Sequence, residues 1–210
     1  MKAKYSFQKT CLSNHVELPF FENLAHIAKE HEYRGVFGIL WFYLVVFKDY
    51  CLHLLARILP FSSIVVFFHR LRGVTIGNGV HISPGVIIDD VYPCLVKIGD
   101  RVSLAGNNFI LTHSKPMKFH SKVSASYRAP VIIEDDAWVA IGVIVLPGVR
   151  IGRGSIIASG SVVTKSIPPF VLAAGSPAIV KKDIAELVRH NFTEEEFSQI
   201  MRERFEQYNF

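Results

Sequence analysis

The 210-residue chain has little cysteine, few charged residues and no long charged run. Cys11, Cys51 and Cys94 are odd in number and lack metal or disulfide spacing, which points to a reducing, cytoplasmic setting. The lysines and arginines form no dense cluster and no aromatic-interleaved stripe, which argues against nucleic acid as a partner. Met1 to Asn14 is polar and the first apolar run begins late, so no secretory signal is expected. No low-complexity tract is present. Charged residues make up 20% of the chain and hydrophobic ones 50%, with a mean hydropathy of +0.30. That is high for a soluble monomer, so apolar surface is expected to be covered by a partner or a membrane. The net charge of +5 and pI near 9.1 suit an anionic ligand, an acidic glycan or a phospholipid surface alike.

What the chain does have is a six-residue beat. Ile133, Val139, Val145, Ile151, Ile157 and Val163 set it, with Gly142, Gly148, Gly152, Gly154 and Gly160 between them. Six fits neither the period of a helix nor that of an alternating strand. It marks a parallel β-helix of hexapeptide repeats, mainly β, in which three repeats close a triangular coil of about 18 residues. Stacked coils bury an aliphatic column that no single repeat can bury. The same beat runs through Ile76, Ile82 and Ile88, slips by four residues, and resumes at Ile98, Leu104 and Ile110. The 23 positions from Ile110 to Ile133 read as one skipped beat and an eleven-residue external loop, placed at 116–126. Three regions follow: an apolar, basic helical segment over 1–72, the β-helix over 73–182, and short C-terminal helices over 183–210.

Residues 1 to about 17 form a polar leader expected to carry little fixed structure. Leu18 to Tyr33 has the spacing of a short amphipathic helix. The run from Val36 to Phe47 carries no charge, but Lys48 and Asp49 follow, and a membrane span needs about 20 residues. A span is therefore not expected. Two roles stay open for residues 18–72: peripheral contact with the headgroups of an anionic bilayer, or capping the β-helix and packing at a subunit interface. Near the C-terminus, Pro169 to Lys182 reads as an extended exit strand and turn, and Thr193 with Glu196 forms a capping box.

His113, in Thr112-His113-Ser114, stands on the last rung before the external loop. With eleven residues removed, Gly142 and Gly160 are expected to stack above it, and Ala140 and Ala158 two places earlier in their rungs. Small residues beside a histidine leave a slot where a thioester could lie against a general base.

Several runs carry a family resemblance. They are Ile133-Glu134-Asp135-Asp136-Ala137-Trp138-Val139-Ala140, Val145-Leu146-Pro147-Gly148-Val149, the stretch from Ser159 to Pro169, and Ala173-Ala174-Gly175-Ser176-Pro177-Ala178. Together, over residues 73 to 182, they resemble the hexapeptide acyltransferases of the maltose and galactoside O-acetyltransferase type. The resemblance implies a left-handed β-helix, a homotrimer, and acetyl-CoA as co-substrate between neighbouring subunits, with no metal. It implies His113 as the general base on a sugar or glycan hydroxyl and the Ile141 N–H as oxyanion donor. It places Trp138, Ala140, Gly142, Ser159, Gly160, Thr164 and Lys165 along the cofactor groove, and Lys182 near the 3′-phosphate. The acceptor-binding asparagine of those relatives has no counterpart here, where the chain reads Ser83-Pro84-Gly85-Val86-Ile87-Ile88-Asp89-Asp90. Asp89, Asp90 and Asn108 are the candidates for its role. The apolar, basic N-terminus favours a lipid-linked or surface-polysaccharide acceptor at the inner membrane face. Alternatives are a xenobiotic O-acetyltransferase, a zinc site built from His81, His113 and His120, and a non-catalytic trimeric scaffold.

Overall fold

In each repeat one strand residue points outward and the next inward, as in Trp138 and Val139, so a two-residue strand suffices to place one core side chain. The structure, a computed structural model, describes residues 10–11, 35–116, 118–120 and 123–207. The helix expected over Leu18 to Tyr33 lies outside them.

In chain order the elements open with β1 (Thr10–Cys11), α1 (Gly35–Ile58) and α2 (Ser62–Leu71). The first coil is β2 (Thr75–Ile76), β3 (His81–Ile82) and β4 (Ile87–Ile88); the second is β5 (Val96–Ile98), β6 (Ser103–Leu104) and β7 (Phe109–Ile110). A ribbon of β8 (His113–Ser114) and β9 (Tyr127–Arg128) then leaves the coil. The third coil is β10 (Val131–Ile133), β11 (Trp138–Val139) and β12 (Ile144–Val145), and β13 (Arg150–Ile151), β14 (Ile156–Ile157) and β15 (Val162–Val163) follow. β16 (Val171–Gly175), β17 (Ala178–Asp183), α3 (Ala185–Val188) and α4 (Glu194–Gln207) complete the described chain.

Three parallel sheets result: β2-β5-β10-β13, β3-β6-β11-β14-β16 with β17 antiparallel at its edge, and β4-β7-β12-β15. The beat residues pair in register, Ile82 with Leu104, Leu104 with Val139 and Val139 with Ile157, and all four are fully buried. Each buries apolar area worth roughly 1.5–3 kcal/mol.

The two ends are closed differently. α2 packs on β2 and β3, with Val65 and Val66 joining the core alongside Ala56 of α1. The Ser62 hydroxyl accepts the Ile82 N–H at 2.9 Å, satisfying backbone that the first coil would otherwise leave open. At the other end the β16–β17 hairpin and a cluster of Phe170, Ile184, Ala185 and Phe197 seat the C-terminal helices. The capping box is formed, with the Thr193 N–H donating to Glu196 at 2.9 Å and the Glu196 N–H donating back at 3.3 Å.

Two expectations are corrected. The apolar run from Val36 to Phe47 and the block from Cys51 to Ile58 form one helix rather than two segments: α1 runs 24 residues through Lys48 and Asp49, because charged residues propagate a helix and the stop comes with Pro60. By length and composition alone, with an 18-residue window of mean hydropathy 1.5, α1 is long and apolar enough to cross a membrane, although its charge-free run is only the 12 residues from Val36 to Phe47. The polar leader is also partly ordered, since β1 pairs antiparallel with β9.

Candidate active site

The site arises where the coils depart from 18 residues. Ile133 pairs with Ile151 at the regular spacing, whereas Ile76 pairs with Ile98, 22 positions on, and Ile98 with Ile133, 35 positions on. The first long coil swings out after Ile88, and the second swings out after Ile110 into the β8–β9 ribbon. The two excursions stack, and Asp89 and His113 stand at their roots.

Asp89 is 2% exposed. Its Oδ1 accepts the N–H groups of Val91 and Tyr92, each at 2.9 Å, which turns the chain outward. Its Oδ2 accepts the Thr112 N–H at 2.8 Å and lies 2.7 Å from Nδ1 of His113. Burial alone would raise the Asp89 carboxyl, but the hydrogen bonds from His113, Tyr92 and Thr112 outweigh it and hold the group well below the usual carboxylate range. The same bond raises His113 above the ordinary histidine value, against the opposing effect of burial. An ionised Asp89 fixes the proton on Nδ1, leaving Nε2 as the basic nitrogen. The Tyr92 ring meets the imidazole edge-on at 5.6 Å, and the Arg128 guanidinium lies 5.0 Å over Tyr92.

Behind Asp89 stands Arg72, 4% exposed. It donates to the carbonyls of Ile88 at 3.1 Å and Asp89 at 2.8 Å, and to Nδ1 of His69 at 3.2 Å. Burial and Arg72 push His69 down to about 3, so it stays neutral and accepts. The N-terminal helices are thereby tied to the backbone that carries the His113 partner.

The acceptor candidates are redistributed. Asp89 is spent on His113 and on backbone N–H groups. Asn108, fully buried, accepts the Val143 N–H at 2.8 Å and donates to the Ala105 carbonyl at 2.8 Å, stitching two coils together. Asp90 alone of the three is exposed, next to the pair.

The glycine column also moves. Gly160 does stack on Gly142, and Ala158 on Ala140, but beneath Gly142 lies Asn107 rather than His113. The excursion adds 17 residues to a plain coil of 18, not eleven, and that shifts the stacking by one beat. Within one chain His113 follows β7, whereas Ala140, Ile141, Gly142, Ser159 and Gly160 form a ledge at the corner before β12 and β15. These corners are opposite edges of one sheet. Thr164 and Lys165 are exposed just after β15, on the His113 side, and Lys182 is exposed on β17. Trp138 is 51% exposed on the neighbouring sheet and lines a cavity of about 850 Å³ beneath the C-terminal helices. Among the described residues nothing accepts the Ile141 N–H.

Reading the sequence missed Arg72, Tyr92 and the tie between Asp89 and His113. The available signal was the four-residue slip: a 22-residue coil sets Asp89 in register with Leu111, two places before His113.

Residues 130–165 match the family described as bacterial transferase hexapeptide (six repeats). The chain contains a hexapeptide-repeat domain. Galactoside O-acetyltransferase of Lactococcus lactis is 40% identical over 116 residues, covering 51% of this chain and 55% of that protein. Galactoside O-acetyltransferase of Escherichia coli is 34% identical over 128 residues, covering 60% and 62%. The chain thus spans little more than half the length of these curated relatives. A hexapeptide-repeat acetyltransferase of Vibrio cholerae, solved with acetyl coenzyme A, superposes with a TM-score of 0.57 at 22% identity, covering 68% of this chain and 88% of that one. The hexapeptide-repeat domain is accordingly a left-handed parallel β-helix, with helices at both ends.

Proposed function

We propose that the chain is an acetyl-CoA-dependent O-acetyltransferase acting on a sugar hydroxyl, with His113 as general base. The observation that carries this reading is the 2.7 Å contact between His113 Nδ1 and a buried, ionised Asp89. Nε2 takes the acceptor proton as the hydroxyl oxygen attacks the thioester carbonyl. The Ile141 N–H is suited to hold the oxygen that becomes negative. Collapse breaks the carbon–sulfur bond, and the imidazolium returns its proton to the departing thiolate. The coenzyme bound by the Vibrio cholerae protein and the names of the galactoside relatives support the donor and the acceptor class.

Because His113 and the Ile141 ledge lie on opposite edges of one sheet, a site that uses both needs a neighbouring copy, and a homotrimer supplies three such junctions. Trp138, Ala140, Gly142, Ser159, Gly160, Thr164, Lys165 and Lys182 are the residues assigned to the coenzyme. Asp90 is the residue left to meet the acceptor. For that acceptor we favour a lipid-linked or surface-polysaccharide glycan, since the apolar helices adjoin the coil that carries Asp89.

Thiol release from acetyl-CoA, measured with free sugars, membrane glycolipid extracts and hydroxyl-bearing drugs, tests the reading. Release that requires the extract and is lost in His113→Ala supports it. Drug-dependent release overturns the acceptor, and undiminished turnover by His113→Ala overturns the base.

A further inference from the structure

Helix α1 is turned inside out for a helix in water. Asp49 and His53 are turned toward the protein: the Asp49 side chain is 21% exposed, and His53 is half-buried within the field of Arg72, while Lys48 and Arg57 are exposed. Its apolar residues face outward, with Phe37 88%, Trp41 60%, Phe47 67% and Ile58 62% exposed. Leu40 and Leu44 lie in the same stripe, at the three- and four-residue spacing of one helix face. Only Phe42 and Ala56 of α1 are buried. A stripe of this kind on a monomeric surface marks a site of contact with something apolar.

Charge indicates what that is. From residue 35 to residue 88 the acids number one, Asp49, against Lys48, Arg57, Arg70 and Arg72. Lys48, which pairs with Asp49 at 3.1 Å, Arg57 and Arg70 are exposed, so α1 and α2 carry exposed cations and no exposed acid. That pattern complements anionic headgroups above an acyl layer. Geometry sets the depth. The C-terminal half of α1 is held by α2 and by the Ala56 contact with the core, and the charge-free run of Val36 to Phe47 is about 18 Å long. This is short of the about 30 Å of a hydrocarbon core.

We propose that the outward face of α1 seats the protein on an anionic phospholipid bilayer, entering one leaflet without crossing it. The lipid seat does not depend on the acetyl-transfer reading, and its test uses no turnover. The full chain is floated on a density gradient with vesicles of phosphatidylcholine alone or with about 30% phosphatidylglycerol. The comparison is the combined variant Trp41→Ser, Leu44→Ser, Phe47→Ser, whose exposed positions leave the β-helix core untouched; circular dichroism checks its fold.

The expected result is flotation of the wild type with the anionic vesicles and a loss of roughly tenfold or more in the bound fraction of the variant. Wild type that stays at the bottom with both vesicle types overturns the proposal, as does a variant that floats equally well. Protease protection of a segment on the far side of the vesicle overturns the single-leaflet depth. A wild-type assembly that the variant dissociates, in the absence of flotation, assigns the face to a second copy instead.

Discussion

The carboxylate of Asp89 reaches Nδ1 of His113 at 2.7 Å across 24 positions of sequence, because two coils of irregular length stack their excursions at the same corner. The contact joins the proposed general base to the fold. The carboxylate that orients the imidazole also accepts three backbone N–H groups that shape the turn at Val91 and Tyr92 and hold Thr112.

Asp89→Asn tests the electrostatic half of this contact. Asp89 raises His113, and in the proposed mechanism the neutral imidazole is the active form, so acetyl transfer is expected to fall as pH drops through that raised value. Removing the negative charge lowers the His113 value. The acid limb of the kcat/KM profile is expected to move to lower pH, with turnover on the plateau reduced by about 10–100-fold. An unmoved limb would assign it to another group.

Arg72→Met tests the link to the N-terminal helices. The variant strips hydrogen bonds from the buried carbonyls of Ile88 and Asp89 and removes the donor to His69. A loss of about 2–4 kcal/mol in unfolding free energy is expected. A fall in kcat with little change in the KM for acetyl-CoA would accompany it if Arg72 acts through Asp89. Denaturant melts and steady-state kinetics separate the two.

Gly142→Ala tests the ledge. Its φ is +71°, where a Cβ costs about 1 kcal/mol, and that Cβ would meet only the Gly160 nitrogen, at 4.0 Å. The core is therefore undisturbed and the methyl stands in open space. The KM for acetyl-CoA is expected to rise several-fold with Tm lowered by only about 2–4 °C, and isothermal titration with coenzyme A gives the same comparison without turnover.

Leu104→Ala probes the column itself. Leu104 is fully buried between Ile82 and Val139, and its truncation should cost about 2–5 kcal/mol by chemical denaturation. Phe109→Ala, one strand on with its side chain outward, should cost far less.

The sequence by itself determined the repeat, the inward column and the prominence of His113, since a six-residue beat is a local property and each aliphatic residue reports its own inward direction. The start of the last helix was legible for the same reason: the Thr193–Glu196 capping box is set by residues three apart. Only the tertiary structure decided what stacks on what. Vertical neighbours depend on the summed length of every loop between them, and an error of one beat moved Gly142 from His113 to Asn107. Asp89 became the partner of His113, and Asn108 a stitch between coils, by that same register. Lys48 and Asp49 end the charge-free run, yet the helix continues through them and ends where its backbone bonding fails, at Pro60.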